Sequence, residues 1–166
     1  MEKTILGCRV YAIAKKYNIT QLMVHSIIEN YIKYCRNLLL NGVVVNIFGI
    51  VDIVPDKVLT SYNTTLAYEC RGIADSLGLP HHTVYVIIKE YLDSLRDDIL
   101  NGKPAELRGL VTIHPLYENG KLIRIHSAIS LSIKKLIKNS STQIKSARVH
   151  TCKSLKSDIS SLVSIS

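Results

Sequence analysis

The amino-acid sequence predicts an α+β fold built as a tandem repeat, with helices and a small antiparallel β-sheet in each copy. The first observation is an internal match, because residues 13–55 align without a gap with residues 73–115, sixty positions later. The second is a long amphipathic pattern in each copy that ends at Asn-Gly. The third is the apolar, partly β-branched stretch that follows, which a glycine interrupts. Self-similarity of this kind indicates a duplicated supersecondary unit.

The aligned positions include those that fix backbone conformation. We expect Gly42 and Gly102 to cap the long helices, because glycine readily adopts the left-handed conformation of a helix C-cap. We expect Gly49 and Gly109 to interrupt the strands that follow. The pairs that recur, first copy before second, include Ile13 and Ile73, Val24 and Val84, Tyr31 and Tyr91, Arg36 and Arg96, Gly42 and Gly102, Gly49 and Gly109, and Pro55 and Pro115.

The first repeat, residues 1–63, is predicted to contain two helices and three strands. After the N-cap residue Thr20, apolar residues recur at three- and four-residue steps, which predicts a helix of about twenty residues. The β-branched residues beyond its Asn-Gly end predict a small sheet. The predicted elements are a helix at 3–17, a long helix between Thr20 and Asn41, strands at 43–48, 50–54 and 58–62, and a turn at Pro55-Asp56.

The second repeat, residues 64–138, is predicted to follow the same order and to add a short basic helix. The first repeat has no separate equivalent of that helix, so the helix at 64–77 is expected to serve both repeats. The predicted elements are helices at 64–77, from Pro80 to Asn101 and at 131–138, strands at 105–107, 110–116 and 122–126, and a tight turn at Glu118-Asn119-Gly120.

Residues 139–166 form a basic tail rich in Ser and Lys, a composition typical of disordered segments. The chain has a formal net charge of +8, and residues 131–166 contain seven Lys and Arg against one Asp. The last predicted helix and the tail therefore supply the candidate contacts with nucleic acid or an acidic partner. These candidates are Lys134, Lys135, Lys138, Lys145, Arg148, Lys153 and Lys156.

Several classes of function find no support in the sequence. The four cysteines show no C-x-x-C spacing, and His81-His82 lack a third ligand at helical spacing, so we expect no metal and no cofactor. His114 and His126 are interpreted as surface residues of a sheet. No Ser-His-Asp order, paired carboxylates or phosphate-binding loop is present, and we expect a non-enzymatic protein. No apolar run is long enough to span a membrane, and no signal peptide is predicted.

In the order of its elements, the repeat resembles the HU/IHF family of bacterial DNA-bending proteins. The stretch from Leu40-Asn41-Gly42 to Phe48-Gly49-Ile50-Val51 is similar to the glycine-rich corner of that family, and Leu100-Asn101-Gly102 to Arg108-Gly109-Leu110-Val111 repeats it. The Leu-Leu-Asn-Gly stretch that ends at Gly42 and the Ile-Leu-Asn-Gly stretch that ends at Gly102 are similar to those of HU-like proteins of Bacteroidetes and their phages. Because members of the family form interlocked dimers, the resemblance implies a pseudo-dimer of two repeats with a shared apolar core.

The sequence also departs from that family. The resemblance implies a long β-arm on each subunit, whose Arg-Asn-Pro tip wedges between base pairs. Here the chain turns at Pro55-Asp56-Lys57 and at Glu118-Asn119-Gly120, with no Arg-Asn-Pro. Ile47 and Leu107 stand in place of the first corner glycine, and Arg108 replaces the corner Phe. The family's bending mechanism is therefore not expected here.

Two hypotheses follow from the sequence and the resemblance. The first is a structural assembly protein that contacts other copies or other virion subunits through neutral, Tyr-rich faces. HU/IHF folds are reused in this way as neck and tail ring proteins of crAss-like phages, so this hypothesis places the chain in a virion. The second is a binder of duplex DNA in the bacterial cytoplasm or nucleoid, which uses the basic final helix and tail in place of arms. Such binding by charge should depend strongly on salt.

Overall fold

The computed structural model describes residues 5–60, 64–139 and 142–158, and these form a mixed α+β protein with two three-stranded antiparallel sheets. The predicted α+β class is confirmed. Residues 153–158 are also helical. The elements are α1 (Ile5–Tyr17), α2 (Gln21–Leu40), β1 (Val45–Ile47), β2 (Val51–Pro55), α3 (Leu66–Leu77), α4 (His81–Leu100), β3 (Ala105–Leu107), β4 (Val111–Glu118), β5 (Lys121–Ile129), α5 (Leu131–Asn139) and β6 (Ala147–Thr151).

The repeat in the sequence is matched by the bounds of these elements. α4, β3 and β4 begin sixty residues after α2, β1 and β2 respectively. The local chemistry agrees with the predicted helix ends, since the Met23 amide donates to the Thr20 hydroxyl at 3.1 Å at the start of α2. Thr65 caps α3 in the same way through the amide of Tyr68.

The chain divides into two compact units, and each combines residues from both repeats. We call residues 1–34 and 64–94 the helical unit, which contains α1, α3 and the first parts of α2 and α4. We call residues 35–63 and 95–166 the sheet unit, which contains the ends of α2 and α4, all six strands and α5.

Within the helical unit, α1 of the first repeat contacts α4 of the second. Arg9 Nη1 donates to Ser94 Oγ at 2.9 Å. One turn earlier on α4, Glu90 accepts from Lys16 Nζ at 2.8 Å and from the Tyr17 hydroxyl at 3.2 Å. The core of this unit is apolar and includes the buried residues Ile13, Val24, Ile27, Ile28, Tyr31, Ile73, Val84, Ile87, Ile88 and Tyr91.

One carboxyl group is buried in the helical unit. Glu69 on α3 is 4% exposed, and its Oε1 accepts from the Thr64 hydroxyl at 2.9 Å. Its Oε2 has no hydrogen-bond partner. Burial raises the pKa of Glu69 to about 7, and the Thr64 hydrogen bond only partly offsets this. Burial also raises the pKa of the neighbouring Cys70 thiol to about 12, so this cysteine stays protonated.

The sheet unit contains two sheets, which differ in where along the chain their third strand comes from. In sheet B the order is β3-β4-β5, and the strands follow one another directly. In sheet A the order is β1-β2-β6, and the third strand comes from the segment after α5. Both sheets bury alternate residues, with Val51 and Ile53 on β2 matching Val111 and Ile113 on β4.

Three expectations from the sequence are wrong here. Residues 58–60 are not a strand, and the rest of the predicted strand at 58–62 lies outside the described residues. The Leu59 amide donates instead to the Gly42 carbonyl at 2.9 Å, just after the end of α2. The tail is not disordered where it is described, since Ala147–Thr151 forms β6. The first repeat also gains its own final helix, at residues 153–158, so α3 does not serve that role.

Candidate interaction surface of the sheet unit

Residues 142–158, which we call the closing segment, complete sheet A. Five residues of β6 pair with β2 in antiparallel register, from Val51 opposite Thr151 to Pro55 opposite Ala147. The pairing extends past Pro55, because the Asp56 amide donates to the Ser146 carbonyl at 2.9 Å and Asp56 Oδ1 accepts from the Lys145 amide at 3.0 Å.

Both ends of the closing segment are also anchored. At its start, the Thr142 hydroxyl donates to the Leu40 carbonyl at the end of α2. Near its end, Asp158 forms an ion pair with Arg96 of α4. Ile144 and Leu155 are buried. The segment is therefore part of the folded core of this unit.

The closing segment reproduces β5 and α5 of the second repeat. The Cys152 amide donates to the Ile50 carbonyl at 2.8 Å, as the Ser130 amide donates to the Leu110 carbonyl at 2.9 Å. Three residues further on, Leu155 and Ile133 are both 0% exposed. A strand followed by a helix thus closes each sheet in the same geometry, although the two segments share little sequence.

The three predicted contact residues on α5 point away from the core. Ile133 and Ile137 are buried at a spacing of four residues, which defines the inner side of this helix. Lys134, Lys135 and Lys138 are exposed on the other side.

The remaining predicted contacts lie on the closing segment. Arg148 is exposed on β6, and Lys145 is exposed just before it. Lys153 and Lys156 are exposed on the helical residues that follow β6. The cations that the sequence placed on a disordered tail are therefore held at fixed positions on the sheet unit.

The two sheets have an outward face, which we define by His114, Arg124, His126, Arg148 and His150, and of these Arg124 and His150 were not predicted from the sequence. His114 and His126 are register partners on β4 and β5, and all five side chains are exposed. These residues lie opposite the buried alternate positions of their strands, and β5 lies beside β6. The signal was the period-two alternation of each strand, but for β6 it could be used only once its pairing was known.

Formal charge is concentrated in the sheet unit. Its residues include fourteen Lys and Arg against seven Asp and Glu, which gives +7. The helical unit has seven against six, which gives +1. The two values add up to the net charge of +8 of the whole chain. A polyanion would therefore be attracted to the sheet unit.

The chemistry of this surface gives no sign of a nucleophile or a metal site. Burial raises the pKa of the Cys152 thiol, and the nearby carboxylate of Asp52 raises it further, so the unreactive thiol form is favoured. Burial also raises the pKa of Asp52, which lies opposite His150 in the sheet. Among the described residues, no three His, Cys, Asp or Glu side chains form a group that could hold a metal ion.

The four predicted turn glycines all have positive φ, between 74° and 79°. Two of them also lie under a covering side chain. A Cβ atom at Gly42 would stand 2.5 Å from Leu59 Cγ, and one at Gly102 would stand 1.7 Å from the Tyr117 hydroxyl. At Gly49 and Gly109 the nearest atoms are 3.9 and 3.6 Å away, so these two positions require glycine for backbone conformation alone.

The β4–β5 hairpin projects beyond the rest of sheet B. β3 pairs with β4 only as far as Ile113, whereas β4 and β5 continue to pair up to Glu118 and Lys121. Asn119 and Gly120 have φ values of 53° and 78°, which fits the predicted two-residue turn. The projection exposes three large apolar side chains, Leu116 at 36%, Tyr117 at 48% and Ile123 at 51%.

Comparison with known proteins gives no assignment for this chain. No family model matches the sequence, and no curated protein or solved structure is significantly similar to it. In the described part of the chain, no helix combines the length and the apolar character that crossing a membrane requires.

Proposed function

We propose that this chain is a non-enzymatic structural protein that assembles through protein–protein contacts, as a ring component of the neck or tail of a phage virion. The observation that carries the proposal is the projecting β4–β5 hairpin. Its three exposed apolar side chains lie within eight residues of sequence at the projecting end of sheet B, where contact with a partner would remove them from water. Tyrosine is enriched at such interfaces, and Tyr117 is one of the three.

The finer part of the proposal rests on the resemblance to HU/IHF proteins. The element order α-α-β-β-β-α is complete in each repeat once the closing segment is included, which supports a tandem, pseudo-dimeric HU/IHF-like fold. The hairpin carries no Arg-Asn-Pro tip, and sheet A has no hairpin between its second and third strands. Both features favour a scaffold over a DNA-bending protein, and the assignment to a virion ring follows by analogy with phage relatives of the fold.

The experiment that tests the assembly proposal is light scattering of the full chain across a concentration series. We expect oligomers in wild-type protein and a shift to smaller species when Leu116→Ser and Ile123→Ser are combined. Tyr117 is left unchanged because it also covers Gly102. Leu22→Ser is the matched control, since Leu22 is a more exposed apolar residue in the helical unit. A chain that stays monomeric at every concentration would overturn the proposal.

A second function, binding of duplex DNA, is favoured by one observation, the charge of +7 on the sheet unit. The exposed lysines of α5 and the arginines of the outward face would contact phosphates. Such contacts release counterions, so affinity should fall steeply with salt and show little dependence on base sequence.

Substitutions test this second function better than truncation, because removing the closing segment would remove β6 together with its charge. We would measure DNA binding by fluorescence anisotropy across a salt series. If the function holds, combining Lys134→Gln, Lys135→Gln and Lys138→Gln weakens binding and reduces the salt slope by about 0.9 for each phosphate that is no longer neutralised. The control replaces Lys15, Lys33 and Arg71 by Gln, which removes the same charge from exposed positions of the helical unit. Equally weakened binding in the two variants would contradict a dedicated surface.

A further inference from the structure

The groove that holds the closing segment is made by the first repeat. Its β2 edge supplies the strand pairing, and carbonyls of Leu40 and Ile50 accept hydrogen bonds from the segment. The second repeat contributes Arg96, which pairs with Asp158, and β5, which lies beside β6. The occupant, however, is attached to the chain after α5, at the far end of the second repeat. The closing segment and the groove that holds it are thus separated in sequence by a complete repeat.

The closing segment has the features of a self-contained insert. It presents one strand of five residues and two buried apolar anchors, Ile144 before the strand and Leu155 after it. Its polar groups are matched at three places: Thr142 by the Leu40 carbonyl, β6 by the edge of β2, and Asp158 by Arg96. All of these contacts involve the groove and none requires that the groove belong to the same chain.

The groove also specifies its occupant. If the closing segment left, the β2 edge and the Leu40 and Ile50 carbonyls would be left without partners, which is unfavourable for a buried backbone. The equivalent segment of sheet B cannot replace it, because β5 is tied to β4 by the Asn119-Gly120 turn. The residues after β2 do not replace it either, since Leu59 is held at Gly42. Among the described segments, the one that fits the groove is therefore a closing segment, either that of the same chain or that of another copy.

We infer that neighbouring copies of this chain exchange their closing segments, so that β6 of one copy completes sheet A of the next. The partner is a second copy of the chain, and the exchanged contact is the one seen within a single chain. Exchange of an identical element is a low-cost route to oligomers, because no new interface has to be formed. This inference rests on the proposed assembly function and supplies a linkage for it.

The test is disulfide cross-linking of two full-length chains that carry different affinity tags. One chain carries Val54→Cys and the other Arg148→Cys, since these positions are register partners across β2 and β6. Cys8 and Cys152 are replaced by Ser in both chains, because Cys8 is exposed and Cys152 is partly exposed. After co-expression and oxidation with diamide, a disulfide between the two chains forms only where β6 of one copy lies on β2 of the other. We expect a shift from the monomer to the dimer position on a non-reducing gel.

Two controls are needed to interpret the cross-linking result. A chain with both cysteines should form a disulfide, within the chain or between copies, which shows that the variants fold and that the positions can bond. A partner with Arg124→Cys in place of Arg148→Cys reports random collisions, since Arg124 is exposed on β5 and pairs with Leu116 rather than Val54. Internal bonding without any bond between chains overturns the exchange. If light scattering still shows oligomers in that case, the assembly function stands and only the exchange is rejected; if it shows monomers, both are rejected.

Discussion

Sheet A and sheet B end in the same geometry but reach it through different connections. In sheet B the third strand follows a two-residue turn, so β4 and β5 are neighbours in sequence as well as in space. In sheet A the third strand is separated from β2 by the whole of the second repeat. The second repeat occupies the place in the chain where the hairpin turn of the first would stand. The comparison teaches that a repeat in sequence can be a repeat in structure while its last elements are supplied from elsewhere.

Removal of the closing segment gives the largest effect we expect from this difference. A chain that ends at Asn139 lacks β6 and exposes the surface that Ile144 and Leu155 cover. Burial of two such side chains contributes about 4 kcal/mol, and the missing strand pairing adds to this. We expect urea denaturation to show a free energy of unfolding that is lower by at least that amount. We also expect the amides of β2 to lose their protection from hydrogen exchange. An unchanged midpoint would show that sheet A does not depend on the segment.

Single substitutions at Leu155 and Ile133 compare the two closing helices directly. Both side chains are completely buried at equivalent positions. We expect Leu155→Ala and Ile133→Ala each to lower the free energy of unfolding by about 3 kcal/mol, the usual cost of such a cavity. Leu136→Ala is the control, since Leu136 is exposed on α5 and should change little. A much smaller decrease for Leu155→Ala than for Ile133→Ala would mean that sheet A is closed less firmly than sheet B.

Gly42 tests a close approach that sheet A requires at the end of α2. Gly42→Ala places a Cβ against Leu59 in a left-handed backbone conformation, and we expect the free energy of unfolding to fall by about 2–4 kcal/mol. Gly78→Ala is the matched control, because Gly78 has φ 66° and no atom within 4 Å of a new Cβ. It should show only the conformational part, about 1 kcal/mol, in the same thermal or urea measurement. Equal decreases would show that Leu59 moves aside at no cost.

Arg9 and Glu69 occupy equivalent positions of the repeat, and only Glu69 is a buried acid. The pKa of Glu69 is raised from 4.5 to about 7 in the folded protein, so the folded state favours the protonated carboxyl. The stability of the fold at this site is therefore fully present below pH 4.5 and is lost as pH rises through 7. Glu69→Gln removes this dependence. We expect the free energy of unfolding of the variant to increase relative to that of the wild type as pH rises, by up to about 3 kcal/mol above pH 8. Parallel stability curves from pH 4 to 9 would contradict a raised pKa.

Much of the fold could be predicted because it is locally encoded. α2 and α4 follow from apolar periodicity between an N-terminal cap or turn and Asn-Gly, and the β4–β5 hairpin follows from its Asn119-Gly120 turn. β6 could not be predicted in the same way. Its stabilising partner, β2, is distant in sequence, and the segment around it has few apolar residues. The β-branched stretch at 58–62 was the more obvious candidate for the third strand.

The candidate surface could be predicted in its charges but not in its arrangement. The lysines of α5 were identified from composition, and they are exposed. Arg124 and His150 were missed because a sheet face is defined only by its register. The projection of the β4–β5 hairpin was also missed, since it depends on where the neighbouring β3 ends.

The late arrival of β6 has a consequence for biosynthesis. Val51 pairs with Thr151, one hundred residues later, so translation at roughly 5–20 residues per second delays closure of sheet A by about 5–20 s. Sheet B needs no such delay, because its strands all lie between Ala105 and Ile129. During the delay the edge of β2 is open, and an open strand edge is a template for mispairing. The first repeat to be synthesised is therefore the last to complete its sheet.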